Sequence, residues 1–351
     1  MAAVCPASAK AVHYTRMDTA QTRRQIQGIL SKYNANALVV INKGKTAYPR
    51  YLYHQSTDAA ALPKDQQRAV RPTPNKLFPI ASMQKMMTGI LVQQLINQWR
   101  ISLSDSIGKY YPGFPHGQGT TVQELMTHQS GIKDVSPKDS PTLLSTQSNQ
   151  LAFTMAHLAS KGNSNWKYAN ANFTLLAGIV SQVTHQTYQK RLSHLIIRPL
   201  REEQNMKYAN RVTKPNRVLP VLPLINWNYP LLKAAWSGSM GADEMLVTPK
   251  AYWKFINVFN KGGFVPLKDY TSHRNLSPTN YYGGVYIRGH YLHSNGYSHG
   301  YACMFFTSYR THETIMIFCN NLPYAELKAI GTDLFQAYFK RPYPLSTIGT
   351  V

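Results

Sequence analysis

Two rhythms of apolar residues run along the 351-residue chain. A three-to-four-residue repeat over 22–32 predicts an amphipathic helix, and the apolar, β-branched run ALVVIN after it predicts a strand. The turn NKGK and the stretch TAYPRYLY supply its returning partner. Residues 55–76 are polar and broken by Pro63, Pro72 and Pro74, which predicts a long surface loop. In the segment that follows, Met83, Met87, Ile90, Leu91 and Leu95 share one face of a helix. From about 100 to 230 the pattern is short helices and loops. Beyond Gly283 strands return: GGVYIRGHYLHS, GYACMFFTS and ETIMIFCNN predict successive antiparallel strands, and 325–339 a closing helix.

Helix and strands at both ends with helices between imply an α+β fold: one antiparallel sheet, flanked by helices and built from both termini, plus a mainly helical lobe. We expect one catalytic unit over 20–351, with an α/β lobe at about 20–100 and 231–351 and the helical lobe at about 101–230. A 43% hydrophobic content suffices for one large core. No stretch approaches the roughly 18 apolar residues of a membrane-spanning helix. Residues 1–19 form a tail whose small residues end in Ala9-Lys10-Ala11, as in a trimmed signal peptide, although the basic start and apolar segment are missing. A disordered cytoplasmic tail is the alternative, and Cys5 lacks a lipobox.

Charge sharpens this picture. Lys and Arg outnumber Asp and Glu by 38 to 15, for a net charge of +23. Such a field favours an anionic neighbourhood, a cell-wall polymer or membrane surface, and suits an exported or envelope-associated protein. The basic residues are scattered singly rather than gathered into a stripe, which argues against nucleic acid. Three cysteines make no disulfide framework; Cys303 and Cys319 read as small buried thiols on neighbouring strands.

The candidate chemistry begins with Ser82-Met83-Gln84-Lys85, which puts a hydroxyl and an amine on one helix face. The same S-x-x-K spacing recurs at Ser106, Ser130 and Ser164, so context must choose. Only Ser82 opens a long apolar-faced helix, where free backbone N–H groups and the helix dipole favour an oxyanion. Ser106 and Ser130 beside glycines, and Ser164 in the polar GNSNW, read as solvated residues. A Y-x-N element occurs twice, as Lys167-Tyr168-Ala169-Asn170 and Lys207-Tyr208-Ala209-Asn210. The first precedes an apolar helix that would anchor it; the second runs into a turn, so Tyr208 reads as surface. Tight metal-ligand spacings are missing, and no metal or cofactor is expected.

These motifs, in this order, resemble the serine beta-lactamase and D-alanyl-D-alanine carboxypeptidase (penicillin-binding protein-like) superfamily, nearest its class C-like branch. The resemblance covers most of the chain and rests on FPIASMQKMMTG, LSDSIGKYYPGFP with TTVQELMTHQSGI, KYANANFTLLAGIV, GSMGADEM and YYGGVYIRG. It implies a beta-lactamase/transpeptidase-like fold in which Ser82 is the nucleophile, Lys85 the amine beside it, Tyr168 the general acid/base and Asn170 an organiser of hydrogen bonds. Thr127, His128, Ser130 and Gly131 match a T-H-x-S-G element in which His128 packs and fixes a loop. The family's third element, a strand triplet with a leading cation, aligns with Ser294-Asn295-Gly296. The cation is lost there, and a bulge would be needed to bring His293 into its place. The resemblance also implies an oxyanion hole from the backbone N–H groups of Ser82 and Tyr297.

The expected activity is that of a serine hydrolase working through an acyl-serine intermediate on a small-molecule or peptidoglycan-type acyl substrate: a D-alanyl-D-alanine carboxypeptidase-like or beta-lactamase-related enzyme, or an esterase of the same kind. Whether Lys85 or a Tyr168 phenolate is the base stays open at this level. The competing reading is a non-catalytic penicillin-binding or wall-binding scaffold.

Overall fold

A computed structural model describes residues 19–343 apart from 45–47, 135–142, 145, 163–164, 213–215, 222–232 and 235. The tail, Cys5 and Ser164 thus lie outside the described residues. Helix α1 (Ala20–Lys32) opens the chain, with Thr19 accepting from the Thr22 N–H as its cap. Strands β1 (Ala37–Lys43) and β2 (Arg50–His54) follow. Where a loop was expected over 55–76, two short helices form, α2 (Thr57–Ala61) and α3 (Lys64–Val70). Ser56 caps the first at the Ala59 N–H, and Pro63 sits at the start of the second, where its missing N–H loses nothing.

The short strand β3 (Phe78–Pro79) leads into a 3-10 turn, Ala81–Gln84, and α4 (Lys85–Asn97). Then come α5 (Val122–Met126), β4 (Ile132–Lys133), α6 (Gln147–His157), β5 (Ala159–Ser160), α7 (Asn170–Thr184) and α8 (Tyr188–Leu192). A π-turn, Ser193–Ile197, carries α8 into α9 (Arg198–Leu200). Strands β6 (Met206–Tyr208) and β7 (Met245–Val247) join β3 in a small antiparallel sheet of order β3-β7-β6.

The main sheet is completed by β8 (Tyr281–Tyr282), β9 (Val285–Arg288), β10 (Tyr291–Ser298), β11 (Tyr301–Ser308) and β12 (Glu313–Cys319), in the order β2-β1-β12-β11-β10-β9-β8. The N-terminal β1 pairs with the C-terminal β12, so both ends of the chain build one sheet, as expected. The run GGVYIRGHYLHS, read as one strand, is two, β9 and β10, because Gly289 turns the chain at φ +58°.

Both faces of the sheet are covered, which explains its near-continuous apolar strands. Leu38, Val40, Cys303, Phe305, Met316 and Phe318 pack toward α4, α7 and the helix Pro249–Asn260. Val39, Ile41, Met304, Phe306, Ile315 and Ile317 pack toward α1 and the closing helix Tyr324–Phe339. Cys303 pairs in register with Phe318 and Cys319 with Ala302, which sends the two thiols to opposite faces. Both are free and buried, as the sequence predicts.

Candidate active site

Ser82 sits in the 3-10 turn that launches α4, and the residue before it, Ala81, is held in the left-handed region at φ +44°. A non-glycine residue there is strained by roughly 1–3 kcal/mol, which surrounding contacts must offset. They do so from two sides: the Met83 N–H donates to the Ile80 carbonyl at 3.1 Å, and the Ile80 N–H to the Met245 carbonyl at 3.1 Å.

One turn on, the fully buried Lys85 donates from Nζ to Ser82 Oγ at 2.9 Å, Asn170 Oδ1 at 2.6 Å and the Ala242 carbonyl at 3.3 Å. Its Nζ also lies 4.9 Å from the Tyr168 ring centre, and Tyr168 hydrogen-bonds Ser82. Ser82, Lys85, Tyr168 and Asn170, picked from segments 85 residues apart, therefore meet in one network.

The Y-x-N segment is held by residues around it. The Asp134 carboxylate accepts from the N–H groups of Asn170 (2.8 Å) and Ala171 (3.0 Å), capping α7 in place of a local side chain. His128 brackets Tyr168: its carbonyl accepts from the Lys167 N–H at 2.8 Å, its Nδ1 from the Ala169 N–H at 3.3 Å. Asn172 donates to the same Nδ1 at 2.9 Å and accepts from Ser130 Oγ at 2.6 Å. Burial, then the nearby Lys85, push the His128 pKa well down, so the imidazole is neutral and acts as packing and loop fixing. Ser130, expected to be solvated, is buried in this network; Ser106 caps a short turn at the Gly108 N–H.

The electrostatics separate the two candidate bases. Burial lowers the Lys85 pKa to about 8 against the opposing pull of Asp243 and Asp134. Burial raises Tyr168 well above an ordinary phenol, only partly opposed by its bond to Ser82. A neutral phenol beside an amine that titrates near physiological pH favours Lys85 as proton acceptor and Tyr168 as proton donor. Asp243 itself is raised to about 6 by burial, with Lys85 pulling it back.

On the far side, β10 runs in register with β11 from Tyr291 to Ser298, without a bulge. His293 therefore stays on the opposite face, stacked on Tyr286 at 4.6 Å and hydrogen-bonded to the Tyr343 hydroxyl, with its pKa lowered to about 3 by burial and Arg288. It does not take the place of the lost cation. Ser294 does occupy the first position of the triplet and lines the cavity with Asn295. Gly296 follows from sterics: a Cβ there would run into the Ile80 carbonyl oxygen, so only glycine lets β10 lie against the backbone leading into Ser82.

Ser82 opens into a cavity of ≈310 Å³ whose remaining walls are mostly tyrosine: Tyr168, Tyr281, Tyr286, Tyr297 and Tyr324. Sequence reasoning does not single out Asp134, Asp243 or the three tyrosines at 281, 286 and 324, although Tyr281 and Tyr286 lie within YYGGVYIRG. Asp243 lay within the GSMGADEM segment, but none of these stands at a diagnostic spacing. Tyr208, expected at the surface, is instead buried on β6. No group of three or more His, Cys, Asp or Glu suited to a metal occurs among the described residues.

With a serine-lysine-tyrosine network set between a helix start and the edge of an antiparallel sheet, a profile of the family described as Beta-lactamase matches residues 17–325. The chain belongs to that family of serine hydrolases. Its relatives include a teichoic acid D-alanine hydrolase of Staphylococcus aureus (strain MRSA252), 30% identical over 149 residues, which is 42% of this chain and 37% of the relative. The match thus spans well under half of that protein. Among solved structures, D-amino acid amidase from Ochrobactrum anthropi SV3 complexed with D-phenylalanine superposes with a TM-score of 0.73 at 17% identity, over 91% of this chain and 99% of the other. FmtA from Staphylococcus aureus does so with 0.70 at 20%, over 94% and 93%. At these identities the structures establish the beta-lactamase/transpeptidase-like fold.

Proposed function

We propose that the protein hydrolyses D-aminoacyl esters or amides, with a D-alanyl ester borne on an anionic cell-wall polymer as the preferred substrate. The reading is carried by the Lys85 Nζ contact to Ser82 Oγ at 2.9 Å, which provides an activated nucleophile. Ser82 Oγ attacks the acyl carbonyl while its proton passes to the free amine of Lys85. The oxyanion is held by the N–H groups of Ser82 and Tyr297. Collapse breaks the ester bond; the leaving alcohol takes its proton from Tyr168, which Lys85 re-protonates, and water then releases the acyl group from Ser82.

The choice of acyl group follows from the walls. With serine in place of the cation at 294, no cationic side chain lines the cavity among the described residues, which speaks against a carboxypeptidase. A D-alanyl ester offers an ammonium instead, and the tyrosine faces of the cavity suit a cation. The relatives' names supply the D-aminoacyl class, and the +23 charge supports a polyanionic carrier.

Intact-mass spectrometry after incubation with a fluorophosphonate, and hydrolysis of D-alanyl against L-alanyl 4-nitrophenyl esters, test the reading on wild type and Ser82→Ala. We expect an adduct and D-selective turnover, both abolished by the substitution. No adduct and no turnover in the wild type would leave the non-catalytic scaffold, and preferential acylation by penicillin would restore the carboxypeptidase.

A further inference from the structure

A second cavity, of ≈450 Å³, opens on α8, the π-turn and α9, away from the tyrosine-lined cavity's own lining residues. Lys190, His194 and Arg198 recur every four residues along this segment, which places them on one side of it, and Arg191 and Arg211 complete the wall. Every other described lining residue is uncharged and polar, and among the described residues no carboxylate faces the cavity. Among the described residues none of these five is ion-paired; Arg211 donates to Gln189 Oε1 at 2.9 Å, which orients its guanidinium at the cavity. Arg191 is part-buried, and burial, then the nearby Arg100, lower its pKa.

A concave surface lined by one sign of charge focuses the field and raises the local concentration of oppositely charged ligands. The segment is also anchored, since the Tyr188 hydroxyl that begins α8 hydrogen-bonds Thr88 on α4 at 2.7 Å. The cavity's concave wall of basic and polar side chains fits discrete phosphate groups, whereas a membrane-binding face needs apolar side chains to insert. We propose that this cavity binds the phosphodiester groups of a polyol-phosphate polymer and so holds the carrier whose ester the Ser82 site cleaves. The inference rests on the proposed polymeric substrate, but its test is independent of catalysis.

Binding of teichoic acid stripped of D-alanine by alkali is measured by calorimetry on Ser82→Ala protein at several salt concentrations. Two triple variants carry the same loss of charge: R191Q/R198Q/R211Q in the cavity, and K64Q/K268Q/K328Q on exposed lysines elsewhere. The cavity triple is expected to weaken binding at least tenfold in ~0.1 M salt and to flatten the slope of log K against log salt by about 2, as loss of three phosphate contacts requires. The control triple is expected to change affinity less than threefold. Both triples should keep the circular-dichroism spectrum and the cooperative thermal unfolding of the parent protein, which establishes that they fold. Equal weakening by both triples would reduce the effect to overall charge and overturn the proposal. So would an absence of polymer binding, or a cavity triple that loses binding to phosphatidylglycerol vesicles while keeping the polymer. Failure of the Ser82 reading would appear in the labelling and ester-hydrolysis experiments and leave polymer binding unchanged.

Discussion

The tetrapeptide Lys-Tyr-Ala-Asn occurs twice in this chain, and its two copies have opposite fates. At 167–170 it enters α7: Asp134 caps the helix from outside, His128 ties the residues on both sides of Tyr168, and the phenol reaches Ser82. At 207–210 it ends β6: Tyr208 is paired in register with Met245, its hydroxyl is buried with no hydrogen-bond partner among the described residues, and Arg211 lies 5.9 Å from its ring. Burial raises both phenols well above the ordinary range. A displaced phenol pKa therefore does not distinguish the copy that reaches Ser82. What distinguishes it is a proton-bearing neighbour on each side, Ser82 and Lys85.

Substituting each tyrosine puts the contrast to its hardest test. Tyr168→Phe removes the proposed proton donor and should lower kcat/KM for a D-alanyl ester by about 10²–10⁴-fold with little change in thermal stability. A loss below fivefold would assign the proton transfer to Lys85 alone.

The next largest effect lies on the pH axis. Lys85 must be unprotonated to accept from Ser82, so labelling by an uncharged fluorophosphonate should quicken as pH rises and level off above about 8. Asp243 raises the Lys85 pKa, opposing burial; Asp243→Asn should therefore move the rising limb to lower pH. A limb that stays in place, or moves upward, would remove Asp243 from the electrostatics of the site.

The smallest effect is expected at the second copy. Tyr208→Phe deletes a hydroxyl that is buried without a partner, so activity should stay within twofold and stability, measured by urea unfolding, should rise by up to about 1 kcal/mol. A large fall in activity there would erase the distinction between the copies.

The site was legible to the extent that local context could choose between duplicated motifs. Ser82 was separable from Ser106 and Ser130 because a long apolar helix begins only there, and Tyr168 from Tyr208 by the helix that follows it. The burial of Tyr208 was not legible, because it depends on β6 pairing with β7 nearly forty residues on, and pairing across such a distance leaves no local periodicity. Asp134 and Asp243 escaped for the same reason: each is a lone acid whose importance lies in what it faces. The tyrosines of the cavity come from β8, β9, β10 and the start of the closing helix as well as from Tyr168, so no spacing connects them. Over 55–76, prolines were read as interruptions although Pro63 begins a helix.

The contact of Gly296 with the Ile80 carbonyl has a consequence for how such a protein can diverge. Backbone packing at 296 fixes the distance between β10 and the turn bearing Ser82, while the side chain at 294 only faces the cavity. The first position of the triplet is thus free to drift between cation and hydroxyl without disturbing the attacking serine. A substitution at 294 would therefore change the character of the cavity wall while keeping the close approach of Gly296 to the Ile80 carbonyl.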